Sequence, residues 1–228
     1  MRATLHWHTQ AGTLTPDNRD ACGHSERTHA SLYLIADGSS SHPRSGELAT
    51  ALLAALAQGF NHLPATELNL AQLAEALRQL IASSHKALRD AHPQAACSYL
   101  ALCLLGDAAF SIHEGDCCLG LLEPSGEISW LSPAHCVANW QGNLNHAELA
   151  HMPSRHRLTR CFSPRRASNP EINHWPHNAN QHWLLATDGF WAGLSEQQQQ
   201  TFLQKGSLPA PPPDDDISCL SIITTPTG

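Results

Sequence analysis

The stretch Ser31-Leu-Tyr-Leu-Ile-Ala-Asp37-Gly38 constrains the fold more than any other part of the chain. Its run from Leu32 to Ala36 carries no charge and stops at an acid followed by a glycine. A continuous apolar run bounded by turn residues predicts a strand covered on both faces. A carboxylate at the mouth of such a strand is costly to desolvate unless something compensates it, most simply a cation. The pattern returns at Trp183-Leu-Leu-Ala-Thr-Asp188-Gly189. Two strands that each finish in Asp-Gly are therefore expected to form two walls of one metal site.

The rest of the chain can be ordered around these two ends. Ala3 to His8 alternates as a first strand, and the turn-rich segment from Gly12 to Asp20 precedes the strand Ala30 to Ala36. From Gly46, Leu48, Leu52, Leu53 and Leu56 mark one face of a helix. A second helix is predicted from Leu68 to Ala91. Short strands follow in close succession at 98–105, 108–113, 117–122 and 127–131, which predicts antiparallel pairing, because parallel neighbours need long crossovers. His135 to Asn180 shows no period and reads as loops. The strand to Thr187, a helix opened by Ser195 and a last strand from Ile217 to Thr224 complete the chain. Helices grouped rather than alternating with strands give an α+β class, read as one domain over residues 1–228.

Composition narrows the function classes. A formal charge of −7 argues against a nucleic-acid partner. No apolar run reaches the roughly 20 residues of a membrane span, and the first residues lack the apolar core of a secretion signal. The eight cysteines are scattered without a C-x-x-C pair, as expected of reduced thiols in a cytoplasmic protein. The sixteen histidines include pairs such as His6/His8 and His151/His156, but none stands in a zinc-binding context.

Four acids recur at strand edges or loop ends: Asp20, Asp37, Asp188, and Asp215 or its neighbours. Hard oxygen ligands of this kind suit Mg²⁺ or Mn²⁺. In their order they resemble the motifs of the PP2C (PPM) family of metal-dependent serine/threonine protein phosphatases. The segments are Asn18-Arg19-Asp20-Ala21, Ala36-Asp37-Gly38-Ser39-Ser40-Ser41-His42 with Gly46-Glu47-Leu48-Ala49, and Glu114-Gly115-Asp116. Leu158-Thr159-Arg160, Thr187-Asp188-Gly189-Phe190-Trp191 and Asp215-Asp216-Ile217-Ser218 complete the set, and the compact motifs are most like those of bacterial members. The resemblance implies a four-layer α-β-β-α sandwich of two antiparallel sheets flanked by helix pairs. It implies two Mn²⁺ or Mg²⁺ ions, with Asp37 bridging them and the Gly38 carbonyl, Asp188 and Asp215 completing the site. Asp20 is carried over as a mainly outer ligand. The activity implied is hydrolysis of phosphoserine or phosphothreonine by water activated between the ions. The implied partners are a phosphorylated protein and a Ser/Thr kinase or its targets.

Departures from the family pattern set further expectations. Thr15 stands where the family carries a phosphate-gripping arginine, so Arg19, and after it Arg44, are the candidates to bind substrate. Asp116 retains one half of a third metal site whose other half is Ala192, which puts a third ion in doubt. Cys117-Cys118 replaces a Ser-Arg pair, and Ser39-Ser40-Ser41 replaces a Met-Gly-Gly loop. His42, beside the metal loop, is the candidate proton donor to the leaving group, with His135 behind it. The alternative to an enzyme is a catalytically weak or inactive regulatory or phospho-binding module on the same fold.

Overall fold

Alternation along the strands sorts the apolar residues into three separate cores, and these define the layers. The computed structural model describes residues 2–64 and 68–226. Its strands are β1 (Arg2–Gln10), β2 (Asp20–Glu26), β3 (Ala30–Gly38), β4 (Cys97–Leu105), β5 (Ala108–Glu114), β6 (Cys118–Leu122), β7 (Ile128–Trp130), β8 (Glu171–Pro176), β9 (His182–Ala186) and β10 (Ile217–Thr225). The helices are α1 (Ser45–Asn61), α2 (Leu70–Leu88), α3 (His146–Ala150), α4 (Asp188–Trp191) and α5 (Glu196–Lys205). One sheet has the order β1-β10-β9-β6-β7 and the other β2-β3-β4-β5-β8, each five-stranded. Every pairing within them is antiparallel.

β3 shows the sorting. Leu32, Leu34 and Ala36 join Leu48, Leu52, Leu56, Leu73 and Leu77 of α1 and α2 in the first core. Tyr33 and Ile35, on the opposite face, meet Trp183, Leu185, Leu220 and Ile222 of the other sheet in the second. Leu184, Ala186 and Cys219 turn outward and pack with Phe190, Trp191 and Phe202 in the third. A sheet with apolar side chains on both faces requires cover on both, and this gives the α-β-β-α order. The helices over the third core are short, so that layer is the thinner.

Local signals set several boundaries. Asn69 caps α2 through a reciprocal box with Gln72, and Ser195 does the same for α5 with Gln198. Gly206, in the left-handed conformation at φ 75°, ends α5. Two strands lie outside the predicted set. β2 starts at the last residue of the turn-rich segment and runs on to Glu26, and β8 lies inside the region read as loops. Both are edge strands of one sheet and their exposure is mixed, so neither shows the continuous apolar run of β3 or β4. No helix among the described residues is long and apolar enough to cross a membrane.

Candidate metal centre

The register between β2 and β3 places Asp20 directly opposite Asp37. Like charges facing each other across an antiparallel pair are destabilising, so this end of the sheet is a point of built-in repulsion. The next position across the sheet is Ser98 on β4. Its hydroxyl donates to Asp116 Oδ1 at 2.6 Å and accepts the Asp116 backbone N–H at 3.3 Å. Asp116 stands at the turn where the chain passes from one sheet to the other, after Gly115 at φ +110°. A Cβ on Gly115 would run into the Ser98 side chain, so the turn requires glycine there.

The other sheet supplies the facing wall. β9 ends at Ala186, and Thr187 leads into the short helix that opens with Asp188. The Thr187 hydroxyl donates to Asp20 Oδ2 at 3.2 Å, joining the two sheets at the site. Ahead of β10, the acidic run divides its labour. Asp216 accepts backbone N–H groups from Gly12 and Arg19, each at 2.8 Å, and so ties down both ends of the β1–β2 connection. Asp215 is half-buried, its Oδ1 accepts the Asp216 N–H at 3.0 Å, and its charge is felt at Asp37.

The electrostatics record the crowding. Asp37 is pushed well above the usual carboxylate range by loss of hydration, then by Asp20, Asp188, Asp116 and Asp215. Asp20 rises well above it too, mainly through desolvation, with Asp216 and Asp188 adding to the rise and hydrogen bonds from Ser218 and Thr187 opposing it. Burial and Asp188 push Asp116 up to about 7, and the same two causes push Asp215 up to about 6. Asp20 Oδ1 is buried with no hydrogen-bond partner. Buried polar atoms are nearly always paired, and an orphaned carboxylate oxygen among four other carboxylates is what a divalent cation would satisfy. The residues fit the ion expected from the sequence.

The predicted substrate residues are placed differently. Arg19 is 5% exposed. Its guanidinium donates to the carbonyls of Ser39, Ser40 and His42 at 3.1–3.2 Å and to Asp17 at 3.2 Å. It therefore holds the loop after Gly38 from beneath, with its donors committed to that loop. Arg44 is bound to Glu47 at 2.9 Å and to the Ala91 carbonyl at 2.9 Å. His42 is half-buried, and its Nδ1 accepts the Arg44 N–H at 3.2 Å, which leaves Nε2 to carry the proton of the neutral ring.

Two features had no signal in the sequence. Arg155, on a single helical turn at Pro153–His156, reaches Asp188 Oδ2 at 2.7 Å. Behind the Gly115 turn, His113 stacks on His135 with ring centres 4.3 Å apart, and His135 Nε2 lies 3.0 Å from Glu171. One ligand atom from each of these three residues lies within 4.8 Å of the others. His135 Nδ1 accepts the Gly115 N–H at 3.2 Å, so its Nε2 carries the proton given to Glu171. That tautomer offers no lone pair to an ion, and the trio reads as a brace for the Gly115-Asp116 turn. His135, considered above as a proton donor, belongs to this brace.

Residues 8–210 match the protein phosphatase 2C family. No curated protein sequence matches the chain. Among solved structures, a serine/threonine phosphatase of S. agalactiae superposes with a TM-score of 0.79 at 16% identity, covering 98% of this chain and 100% of that one. The serine/threonine phosphatase Stp1 of Staphylococcus aureus gives 0.80 at 14% identity, over 100% and 96% of the two chains. The catalytic domain of the serine threonine protein phosphatase PstP, in complex with two manganese ions, gives 0.71 at 18% identity over 98% and 99%. At these identities the superpositions speak for the fold, and the family match carries the assignment: the chain belongs to the protein phosphatase 2C family.

Proposed function

We propose that this protein is a Mn²⁺- or Mg²⁺-dependent phosphatase that hydrolyses phosphoserine and phosphothreonine in proteins. The observation that carries the reading is the cluster of Asp20, Asp37, Asp116, Asp188 and Asp215, each acid acting electrostatically on at least one of the others. A family member that had given up catalysis would have little reason to keep five acids in mutual repulsion. Asp37, the Gly38 carbonyl, Asp188 and Asp215 would hold two ions, with Asp20 acting from the outer shell. Asp116 keeps one half of a third position. When bound, the ions supply Lewis acidity toward phosphoryl oxygens and a nucleophilic water at neutral pH.

The chain's own residues do the rest. Thr187 holds Asp20 in place by its hydrogen bond, and Ser98 orients Asp116. Arg19 fixes the Ser39–His42 loop that follows Asp37 and Gly38. His42 presents a protonated Nε2 as donor to the departing alkoxide. No serine or cysteine nucleophile is required, and Cys117 and Cys118 are buried thiols whose ionisation burial opposes. The eight free cysteines suit a reducing compartment, which supports a cytoplasmic setting with phosphorylated kinase targets as substrates.

Turnover of p-nitrophenyl phosphate and of a phosphothreonine peptide, with Mn²⁺ and with EDTA, tests the proposal. Release of phosphate that depends on Mn²⁺ and ceases with EDTA is expected. Turnover indifferent to metal would overturn the metal-dependent reading, and no turnover with Mn²⁺ bound would instead favour the non-catalytic phospho-binding module.

A further inference from the structure

A phosphoester approaching five carboxylates needs positive charge beyond what two ions provide, and it needs donors that match its oxygens. Thr15 supplies neither, Arg19 is committed to the loop beneath Gly38, and Arg44 is turned toward Glu47 and Ala91. Arg155 remains. Its side chain is 13% exposed, and its guanidinium touches Asp188 at 2.7 Å. That contact is the guanidinium's one hydrogen bond among the described residues. Most of its donors are therefore free for another ligand. Its charge is also felt at Asp116 and Asp215.

The segment carrying it is tied down just after Arg155. The Val137 N–H donates to the Arg157 carbonyl at 2.8 Å, and the Thr159 N–H to the His135 carbonyl at 2.9 Å. The guanidinium also lies over the Trp191 ring, 6.0 Å from its centre, so its stem is steered toward the site. A planar fork of donors beside a carboxylate has the shape that grips a phosphoryl group bidentately.

We propose that Arg155 is the phosphate-gripping residue of this protein, parked on Asp188 without metal and transferred to the substrate's phosphoryl oxygens once cations occupy the carboxylates. The proposal rests on the metal-dependent phosphatase reading. In this arrangement Arg155 and the metal compete for Asp188, whereas Arg155 and the phosphate cooperate. Removing the side chain therefore has opposite effects on the two ligands.

Calorimetric titration of Mn²⁺, and of inorganic phosphate at saturating Mn²⁺, reads both effects in the wild type, Arg155→Ala and Arg155→Lys, with melting curves to establish that each variant is folded. In Arg155→Ala the phosphate Kd is expected to rise about tenfold or more, while Mn²⁺ binds several-fold tighter. Arg155→Lys, which keeps the charge but loses the fork, is expected to bind Mn²⁺ like the wild type and phosphate with intermediate affinity. In turnover, KM rises more than kcat falls. An unchanged phosphate Kd in Arg155→Ala, or a wild type that binds Mn²⁺ but no phosphate, would overturn the proposal. A wild type that binds both ligands yet turns over no substrate would sink the enzymatic reading, while the two titrations would still decide the role of Arg155.

Discussion

At the scale of single residues, the centre is a set of acids that oppose one another. Asp37 bears the most of this, facing Asp20 across the strand pair and feeling Asp188, Asp116 and Asp215 as well. Asp37→Asn keeps the shape and removes one charge. The metal-free variant is expected to gain about 1 kcal/mol, a rise of roughly 2–4 °C in Tm, and to lose the Mn²⁺-induced shift expected of the wild type. Differential scanning fluorimetry with and without Mn²⁺ checks both, and a lower metal-free Tm would contradict the repulsion. Asp20, Asp37 and Asp188 were legible in the sequence because two of them end apolar runs and the third stands in the first family-like motif, Asn18-Arg19-Asp20-Ala21. The division between Asp215 and Asp216 was hidden, since strand alternation begins only at Ile217 and three successive acids look alike before it. Arg155 was hidden too, because it stands in a stretch with no period and meets Asp188 only through the fold.

At the scale of elements, the site is built where strands stop. β3 ends in Gly38, β9 is followed at once by Thr187 and Asp188, and the β5–β6 turn delivers Asp116. This turn depends on Gly115, whose φ of +110° and closeness to Ser98 leave no room for a side chain. Gly115→Ala is expected to cost about 2 kcal/mol or more and to displace Asp116 from its hydrogen bond with Ser98. A urea melt reads the loss, and a lower midpoint with unchanged slope is the expected form. The elements themselves were legible wherever one face was fully covered. The helical stripe of α1 and the apolar runs of β3 and β4 fall where periodicity put them. β2 was missed because its Asp-Ala-Cys-Gly-His-Ser-Glu sequence has little strand propensity and an edge strand buries only part of itself. β8 was lost among the histidines and asparagines around it, and ends at Pro176, as an edge strand can.

At the scale of the molecule, the crowded carboxylates set how stability responds to pH. The folded-state values of Asp116, about 7, and Asp215, about 6, lie above the ordinary carboxylate value of 3.8. A carboxyl raised on folding stabilises the native state below its unfolded value, and that stability is lost as pH rises through the folded one. The metal-free protein is therefore expected to melt lower at pH 7.5 than at pH 5, by roughly 5–10 °C. Saturating Mn²⁺ should abolish or reverse the trend, because it favours the ionised acids. Melting curves across this range in EDTA and in Mn²⁺ check the sign. The hydrogen bond from Thr187 to Asp20 already marks the seam between the two sheets, and the acids on either side of it come from opposite ends of the chain. A cation shared by Asp37 and Asp188 would close a loop of about 150 residues, as a disulfide between those positions would. Unlike a disulfide, this clasp opens when the chain unfolds, so its strength follows the free ion concentration rather than the length of the loop. The proposed metal centre would then also be a reversible crosslink, and ambient metal would adjust how firmly the two halves of the sandwich are fastened together.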